Sequence, residues 1–321
     1  MSSALLFERD DVSEVEEWAE RLPKIRDTSI LWIDLERPDK KEIRSLVEQL
    51  DLSEESAEQL ADRKERQPRL CDHGAYIHVT VCAVRDTQRR ELERVECLVS
   101  KRWVVTLHES PLEALEALRE RATGSGNVGR LDGGLFLADL LEWVLAGYLD
   151  AFGRIEGELD DVDTRVMQGK VQSTEGALAE LVEVRREIGR VRRAVSSHRE
   201  LLLALARPEI HAIVSEKAAE RFSSLQVRLE EAMQAARDGR ESVVGSFDVL
   251  IASMGQRTNE IMKVLTLASV LLLPGALIAG ILGMNFKVGL FEQGELFWVT
   301  IVAIAGILLA TLGIARAKSW I

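Results

Sequence analysis

Cysteine, proline and aromatic residues are scarce in this 321-residue sequence, and acidic side chains outnumber basic ones. Cys71, Cys82 and Cys97 form no Cys-x-x-Cys pair and have no histidine at zinc-site spacing, so we expect reduced packing residues. The net charge is −12, from 53 acidic and 41 basic side chains. Because a nucleic-acid-binding protein needs a basic face to neutralise phosphates, we expect no nucleic acid among the partners and regard cations as more natural ones.

The sequence signals of several enzyme classes are also missing. The chain has no Gly-x-x-x-x-Gly-Lys-Ser/Thr phosphate loop. Its histidines show no metal-ligand spacing and are scattered at His73, His78, His108, His198 and His211. No apolar stretch follows Met1, so we expect no cleaved secretory signal. These observations predict a protein that is not an enzyme and that needs no cofactor.

Two long apolar stretches are present near the end of the chain. The first covers about 264–283 and the second 296–315, and a short polar loop, 284–295, separates them. Each stretch has about 20 residues, enough to cross a hydrocarbon layer of ~30 Å. The sequence therefore predicts a two-helix transmembrane hairpin, with the bulk of the protein outside the lipid bilayer.

The charges around this hairpin predict its orientation. Arg257 and Lys263 precede the first stretch, Arg316 and Lys318 follow the second, and the loop has a single lysine, Lys287. Because positively charged flanks stay in the cytoplasm, we expect both termini inside, including the tail 316–321, and the loop outside. The expected location is the cell (inner or plasma) membrane, as a multi-pass protein.

The sequence of the N-terminal part, 1–122, predicts a cytoplasmic α/β domain. Alternating or continuous apolar runs indicate strands from Ile30 to Leu35, Tyr76 to Val84, Val95 to Val99 and Trp103 to Leu107. Helices are expected to follow Asp39 and Ser53, because acidic residues and helical apolar spacing come directly after them. A small sheet flanked by helices accounts for this pattern.

Strand signals stop after residue 112, and proline is nearly absent beyond the Gly-rich break at 123–129. The apolar spacing predicts long antiparallel cytoplasmic helices over 130–207, broken near 169–173. A third helix, 208–283, would start at Pro208 and continue into the first membrane span, with a length of about 110 Å. Such a helix needs partner helices, from its own chain or from other copies, to bury its apolar face.

One stripe of this helix is composed of short or polar side chains. It follows steps of three and four residues through Asn259, Met262, Thr266, Ser269, Leu273, Ala276, Gly280 and Gly283. The stripe fits close helix packing in the membrane, and it fits equally a pore lined by several symmetric copies. Asp248 lies three turns earlier on the same stripe, where a ring of carboxylates would suit an exiting cation.

The residues around this stripe resemble a known family. Residues 258–266, Thr-Asn-Glu-Ile-Met-Lys-Val-Leu-Thr, are followed by Pro274 and then by Gly283-Met284-Asn285-Phe286. This arrangement is similar to the CorA family of divalent-cation channels, which has a Gly-Met-Asn signature at the outer end of its first transmembrane helix. The resemblance implies a funnel-shaped homopentamer with a selectivity filter at Gly283, Met284 and Asn285.

The resemblance also implies roles for residues further along the conduction path. Asn259, Met262, Leu265 and Leu273 would face the path, the last three as a hydrophobic gate, and Asp248 would ring the cytoplasmic mouth. At this level the resemblance selects Leu265, whereas the helical spacing selects Thr266. Outside the membrane, Glu292 and Glu295 would attract cations to the entrance.

The chemistry of Asn285 fits a hydrated divalent ion. Mg²⁺ releases its water reluctantly, and carboxamides can accept hydrogen bonds from those waters without forming a deep electrostatic trap. Asn285 would therefore bind the metal in its outer sphere, and Co²⁺ and Ni²⁺ would pass as well. Uptake would be passive, because a divalent ion gains roughly 4.6 kcal/mol at 100 mV.

Two other functions remain open from the sequence. Leu272-Leu273-Pro274 resembles the zinc-transporting ZntB branch, and Leu282 and Ala276 depart from the usual CorA pattern, so a Zn²⁺ transporter with proton coupling is an alternative. A membrane-anchored helical scaffold or sensor is the third. An acidic run, Glu156 to Asp163, is expected to be solvated or to face the arginines at 185–193 across an antiparallel helix pair.

Overall fold

The structure, a computed structural model, describes residues 2–8, 11–25, 29–62, 67–86, 90–124, 132–171, 173–207, 214–283 and 295–317. It divides into two compact units, Met1–Phe247 and Asp248–Ile321. The first unit combines a mixed sheet with helices. The second contains the end of one long helix and a further apolar helix. The predicted fold class, an α/β domain followed by long helices and an apolar C-terminal helix, is confirmed.

A seven-stranded sheet forms the centre of the first unit. Its strands are β1 (Ser2–Glu8), β2 (Asp11–Glu14), β3 (Ile30–Glu36), β4 (Arg69–Asp72), β5 (Ile77–Asp86), β6 (Glu91–Val99) and β7 (Trp103–His108). The strand order is β2-β1-β3-β7-β6-β5-β4. Only the β3–β7 pair is parallel among these pairings. The four predicted strands are confirmed as β3, β5, β6 and β7, whereas β1, β2 and β4 were not predicted.

Eight α-helices accompany the sheet in the described residues. They are α1 (Trp18–Arg21), α2 (Lys40–Leu50), α3 (Glu54–Ala61), α4 (Glu113–Gly124), α5 (Gly133–Met167), α6 (Thr174–Leu205), α7 (Glu216–Leu282) and α8 (Glu295–Ala317). A short 3-10 turn, Leu22–Lys24, follows α1. The break predicted near 169–173 is where α5 ends and α6 begins.

Helix α2 begins where the sequence places its cap. The Asp39 carboxylate accepts hydrogen bonds from the backbone N–H groups of Lys41 and Glu42, at 2.7 and 2.8 Å, and the Glu42 carboxylate accepts from the Asp39 N–H. These backbone donors lower the pKa of Asp39. The apolar face of α2, with Ile43 and Leu46, packs into the core on the sheet.

Helix α3 is attached to the sheet by a buried polar cluster. Ser56 of α3 is hydrogen-bonded to His78 Nδ1 at 3.1 Å, and His78 Nε2 lies 2.8 Å from Glu96. The Thr80 hydroxyl donates to the same carboxylate at 2.8 Å. Burial would raise the pKa of Glu96, but the hydrogen bonds from His78 and Thr80 and the charge of Arg94 outweigh it, so the pKa is lowered.

Helix α7 begins later than the sequence predicts. Pro208 was expected in its first turn, but the helix starts at Glu216, and Val214 and Ser215 are not helical. The Ser215 hydroxyl accepts a hydrogen bond from the Ala218 N–H at 3.3 Å and so marks the helix start as a cap does. Pro208 itself lies outside the described residues, and the non-helical Val214 and Ser215 mean that α7 does not continue unbroken back to it.

Side chains from α5 and α6 extend the hydrogen-bonding pattern of strand β5. Strand β4 pairs with β5 only as far as Thr80. At Cys82, the backbone N–H donates to His198 Nε2 at 3.3 Å, and the Tyr148 hydroxyl donates to the Cys82 carbonyl at 2.5 Å. His198 Nδ1 donates to the Ala194 carbonyl at 2.7 Å. Two helices are thereby attached to the sheet edge that β4 leaves uncovered.

Arg90 attaches the β5–β6 hairpin to the long helices. It adopts the left-handed conformation, with φ of 52°, and its guanidinium contacts Glu158 of α5 at 2.9 Å and Glu187 of α6 at 2.7 Å. Its side chain is only 7% exposed. Burial raises the pKa of Glu187, and Arg90 offsets part of that rise. The bridge thus makes two long helices share one cation.

We expect Arg90→Asn to lower the free energy of unfolding by about 2 kcal/mol, because it leaves two partly buried carboxylates without their cation. Asparagine is chosen because it tolerates the left-handed backbone. Urea unfolding of the full chain in detergent measures the change. Arg154→Gln is the control: its ion pair with Asp150 is on the surface, at 46% and 55% exposure, and should change stability by less than about 0.5 kcal/mol. Equal effects of the two variants would contradict a special role for Arg90.

Candidate ion-conducting segment

Two helices are long and apolar enough to cross a membrane. They are the C-terminal part of α7 and the helix α8. The apolar stretch of α7 is 0% buried by the rest of the chain, and that of α8 is 6% buried. A soluble core helix with this composition would be covered by its own protein. An exposed apolar helix of this length needs another apolar environment, which a bilayer supplies.

The predicted pore stripe lies on the exposed surface of α7. Met262, Leu265 and Leu273 are exposed by 58%, 65% and 66%, and Asn259 and Asp248 are also exposed. The described residues of the chain therefore leave most of each of these side chains uncovered. Their positions leave both interpretations of the stripe possible, because neighbouring copies could pack on it or enclose a path beside it.

An open groove runs along one face of α7 at the start of the apolar region. Its lining residues are Ala252, Gly255, Gln256, Asn259, Glu260, Met262, Lys263 and Thr266. Asn259, Met262 and Thr266 are brought together there, and Leu265 is not part of the lining. Sequence reasoning did not single out Ala252, Gly255 or Gln256, although the same three- and four-residue steps continue through them.

Two hydroxyls in this segment are partly satisfied by their own helix. Ser269 donates to the Leu265 carbonyl at 2.9 Å, and Thr258 donates to the Met254 carbonyl at 2.9 Å. Each hydroxyl has then used its proton and retains acceptor lone pairs. Such oxygens can accept hydrogen bonds from the water molecules of a hydrated cation.

The predicted filter is only partly described. Helix α7 ends at Leu282, and the Gly283 N–H donates to the Ala279 carbonyl at 2.9 Å, which closes its last turn. Met284, Asn285 and Glu292 lie outside the described residues. Glu295 begins α8, but its side chain is not described. The roles of these residues therefore remain predictions.

Helices α7 and α8 approach each other at Gly275. A Cβ built on Gly275 would lie 3.6 Å from Ile304 Cγ2, which is ordinary van der Waals contact. The neighbouring Pro274 has no N–H, so the carbonyl four residues earlier lacks its usual helical partner. The hairpin thus combines a close contact with a weakened point in the helix.

We expect Gly275→Leu to separate the two helices and to reduce ion flux, because a branched side chain does not fit where a single methyl group already makes contact. Gly275→Ala should retain more of the flux. Uptake into liposomes, at equal amounts of inserted protein, measures both. If the leucine variant conducts as well as the alanine variant, the Ile304 contact is not needed for transport.

Compact metal-ligand clusters are not found in the described ranges. Among those residues, no three or more His, Cys, Asp or Glu side chains are grouped so that they could hold a metal ion. Cys82 and Cys97 are buried, and burial raises the pKa of the Cys97 thiol well above its usual range. The oxygens of the exposed α7 segment therefore stay a prediction as cation ligands.

Comparison with known proteins identifies the family of this chain. A family profile described as "CorA-like Mg2+ transporter protein" matches residues 27–315. The cobalt/magnesium transport protein CorA of Thermotoga maritima is 24% identical over 237 residues, which cover 72% of this chain and 65% of that protein. The alignment thus spans slightly less than two thirds of that relative.

Solved structures share the fold. The CorA magnesium transporter from Methanocaldococcus jannaschii matches with a TM-score of 0.78 at 18% identity, covering 100% of this chain and 99% of that one. The ZntB cytoplasmic domain from Vibrio parahaemolyticus matches with a TM-score of 0.51 at 12% identity, covering 80% of this chain and 97% of that one. At these identities the likeness concerns the fold alone. Because the family profile covers most of the chain and the two apolar helices suit a membrane, this chain belongs to the CorA family of divalent-cation transporters and is not an enzyme.

Proposed function

We propose that the chain conducts hydrated divalent cations, with Mg²⁺ as the principal ion, through a pore at the axis of a homopentamer. The observation that carries this proposal is the exposed stripe of α7, which has polar and apolar side chains in turn along a membrane-spanning helix. Thr266 and Ser269 place hydroxyls on this exposed stripe within the span, and Asn259 lies just before the span on its cytoplasmic side. Five copies would place them around water.

The ligands available along the stripe favour a hard, hydrated ion. Asn259, Thr266 and Ser269 offer carboxamide and hydroxyl oxygens, and Asp248 offers a carboxylate at the cytoplasmic end. The soft donor atoms are the thioethers of Met262 and Met284. Mg²⁺ prefers oxygen ligands and keeps most of its water, whereas thiolate and imidazole ligands suit Zn²⁺. Co²⁺ and Ni²⁺, which also form octahedral aqua ions, are expected as slower substrates.

The selectivity step is assigned to the Gly283-Met284-Asn285 turn. Asn285 carboxamides from the five copies would accept hydrogen bonds from the waters of the entering ion, so the metal is held in the outer sphere. Met262, Leu265 and Leu273 would form the apolar gate below. Glu292 and Glu295 would raise the local cation concentration at the outer mouth.

The membrane potential is the proposed driving force. A divalent ion that enters the cell gains about 2.3 kcal/mol per charge per 100 mV, so no coupled hydrolysis is required. The proposed location is the cell membrane, with spans at about 264–283 and 296–315 and both termini in the cytoplasm. The basic residues Arg257, Lys263, Arg316 and Lys318 flank the spans on that side.

A ZntB-like Zn²⁺ transporter is the second candidate. The fold of the ZntB cytoplasmic domain supports it, as does the Leu272-Leu273-Pro274 sequence. The third candidate, a membrane-anchored scaffold or sensor, predicts that both spans can be replaced by an unrelated hairpin without loss of function. A channel with that replacement would lose all transport.

One flux series distinguishes these functions. Purified protein in liposomes is tested with Mg²⁺, Co²⁺, Ni²⁺ and Zn²⁺, with and without a membrane potential and a pH gradient. Potential-driven Mg²⁺ flux that ignores the pH gradient supports the proposal. Zn²⁺ flux that follows the pH gradient, without Mg²⁺ flux, supports the ZntB-like alternative. If none of the four ions is transported, the scaffold or sensor is the function that remains.

A further inference from the structure

Two exposed surfaces of opposite charge lie next to each other on the long helices. The basic face of α6 consists of Arg185, Arg186, Arg190, Arg192 and Arg193, and the acidic face of α5 consists of Glu156, Asp160 and Asp161. Within the described part of the chain, ion pairs of the basic face involve only Glu183 and Glu187 of α6 itself, at 3.3 and 3.5 Å. Of the two sequence-based expectations, solvated acids fit the exposed Glu156, Asp160 and Asp161, whereas no ion pair between the two runs is found in the described residues.

The contacts between α5 and α6 show why the two faces do not meet. Arg165 of α5 contacts Glu180 of α6 at 2.6 Å, and Arg90 bridges Glu158 and Glu187. Both contacts follow one antiparallel register, in which Asp160 lies level with Arg185. Apolar residues such as Leu159 and Ile188 are buried, so the charged faces turn outward. The two faces are thus at the same level and point away from the core.

The acidic face also carries two glycines that no internal contact explains. In the part of the chain that the structure describes, no atom lies within 4 Å of a Cβ built on Gly153 or Gly157. A glycine in a helix interior costs about 1 kcal/mol relative to alanine, and here no close approach among the described residues compensates it. The bare backbone beside Glu156 and Asp160 leaves room for long side chains from another molecule.

We propose that the basic face of one copy docks on the acidic face of the next copy. The fork of an arginine side chain matches a carboxylate, and arginine is the cation best suited to ion pairs at interfaces. The two faces lie at the same height on adjacent helices. Copies related by rotation about an axis parallel to these helices can therefore bring α6 of one copy against α5 of the next. Repetition of this head-to-tail contact closes a ring.

This docking rests on the homopentamer proposed above and names a surface that holds it together. Single exposed ion pairs contribute little, whereas several pairs repeated at each interface act together and respond to salt. The excess of acidic residues in the chain as a whole makes the concentrated basic face of α6 stand out as a site for an acidic partner. The chain itself provides that partner.

Charge reversal in the full chain, purified in detergent, tests the docking. One variant carries Arg192→Glu and Arg193→Glu, a second carries Glu156→Arg and Asp160→Arg, and a third carries all four changes. The mass of the assembly is followed on dilution at low and high salt. We expect each double reversal to weaken association at least about tenfold, because it places like charges together, and we expect the combined variant to recover association.

Lys41→Glu with Arg44→Glu is the control matched to the arginine reversal, because it makes the same charge change on the exposed side of α2. If both reversals act no more strongly than this control while the wild type remains oligomeric, the docking is wrong and the pore proposal stands. Failure of the combined variant to recover also overturns it. Loss of binding to vesicles with anionic phospholipid, at unchanged association, would instead make the basic face a membrane-binding surface. A wild type that is a single chain at every concentration would refute the homopentamer itself.

Discussion

Replacing Asn285 by alanine should remove the preference for Mg²⁺ over Co²⁺ and Ni²⁺ and lower the Mg²⁺ flux at least about tenfold. The expected cause is the loss of carboxamide acceptors for the waters of the entering ion, because a hydrogen bond to a charged group contributes about 1.5 kcal/mol. Flux into liposomes at a fixed potential measures the change. The proposed filter would be wrong if the variant kept the rate and selectivity of the wild type.

Two companion substitutions separate chemistry from shape at this position. Asn285→Gln keeps the carboxamide and should retain part of the selectivity, although the longer side chain displaces its oxygen. Asn285→Asp should bind the ion more strongly and conduct it more slowly, because five carboxylates form a deeper electrostatic trap. The same rate in the alanine and aspartate variants would indicate that the residue shapes the turn and does not contact the hydrated ion.

Acidification should destabilise the first compact unit through His198. This imidazole is fully buried, its Nε2 accepts the Cys82 N–H, and burial lowers its pKa to about 4 although the hydrogen bond to Ala194 opposes this shift. The unfolded chain takes up a proton near pH 6.5, whereas the folded chain resists it until about pH 4. The contribution of neutral His198 to the free energy of unfolding is therefore fully present above pH 6.5. It falls by about 3 kcal/mol as the pH drops to about 4.

Urea unfolding of the full chain between pH 7 and pH 4 measures this dependence. His198→Gln should lower the stability at pH 7 and make its decline with acid less steep, because the residue no longer takes up a proton on unfolding. His73→Gln is the control, since His73 lies at the edge of the sheet and is half-buried. An identical pH slope in the wild type and the His198 variant would show that other groups cause the acid sensitivity.

The sheet shows which strands the local sequence pattern can predict and which it cannot. Strands β3, β5 and β7 and the second half of β6, residues 95–99, are predictable because buried apolar side chains dominate them and indicate extended structure. Strands β1, β2 and β4 are not, because they lie towards the edges and gain their form from pairing with strands far along the chain. Pairing between distant strands gives only a weak signal in the sequence of a short strand.

The candidate site shows a similar division. The spacing of Asn259, Met262 and Leu273 predicts one exposed stripe of α7, and the resemblance to the CorA family adds Leu265 and the Gly-Met-Asn turn. Thr266 lines the groove of α7 and Leu265 does not. Neither source shows how copies meet around the stripe, because that depends on surfaces that only a folded assembly brings together.

By itself the sequence determined that this chain has two membrane-spanning stretches and long helices, because apolar length and helical spacing are local properties of the chain. Only the tertiary structure decided that Tyr148 and His198 bind the edge of β5, that Arg90 joins two helices, and that the charged faces of α5 and α6 point outward. These features depend on residues distant in sequence. Their partners are chosen by packing and register, which no local pattern encodes.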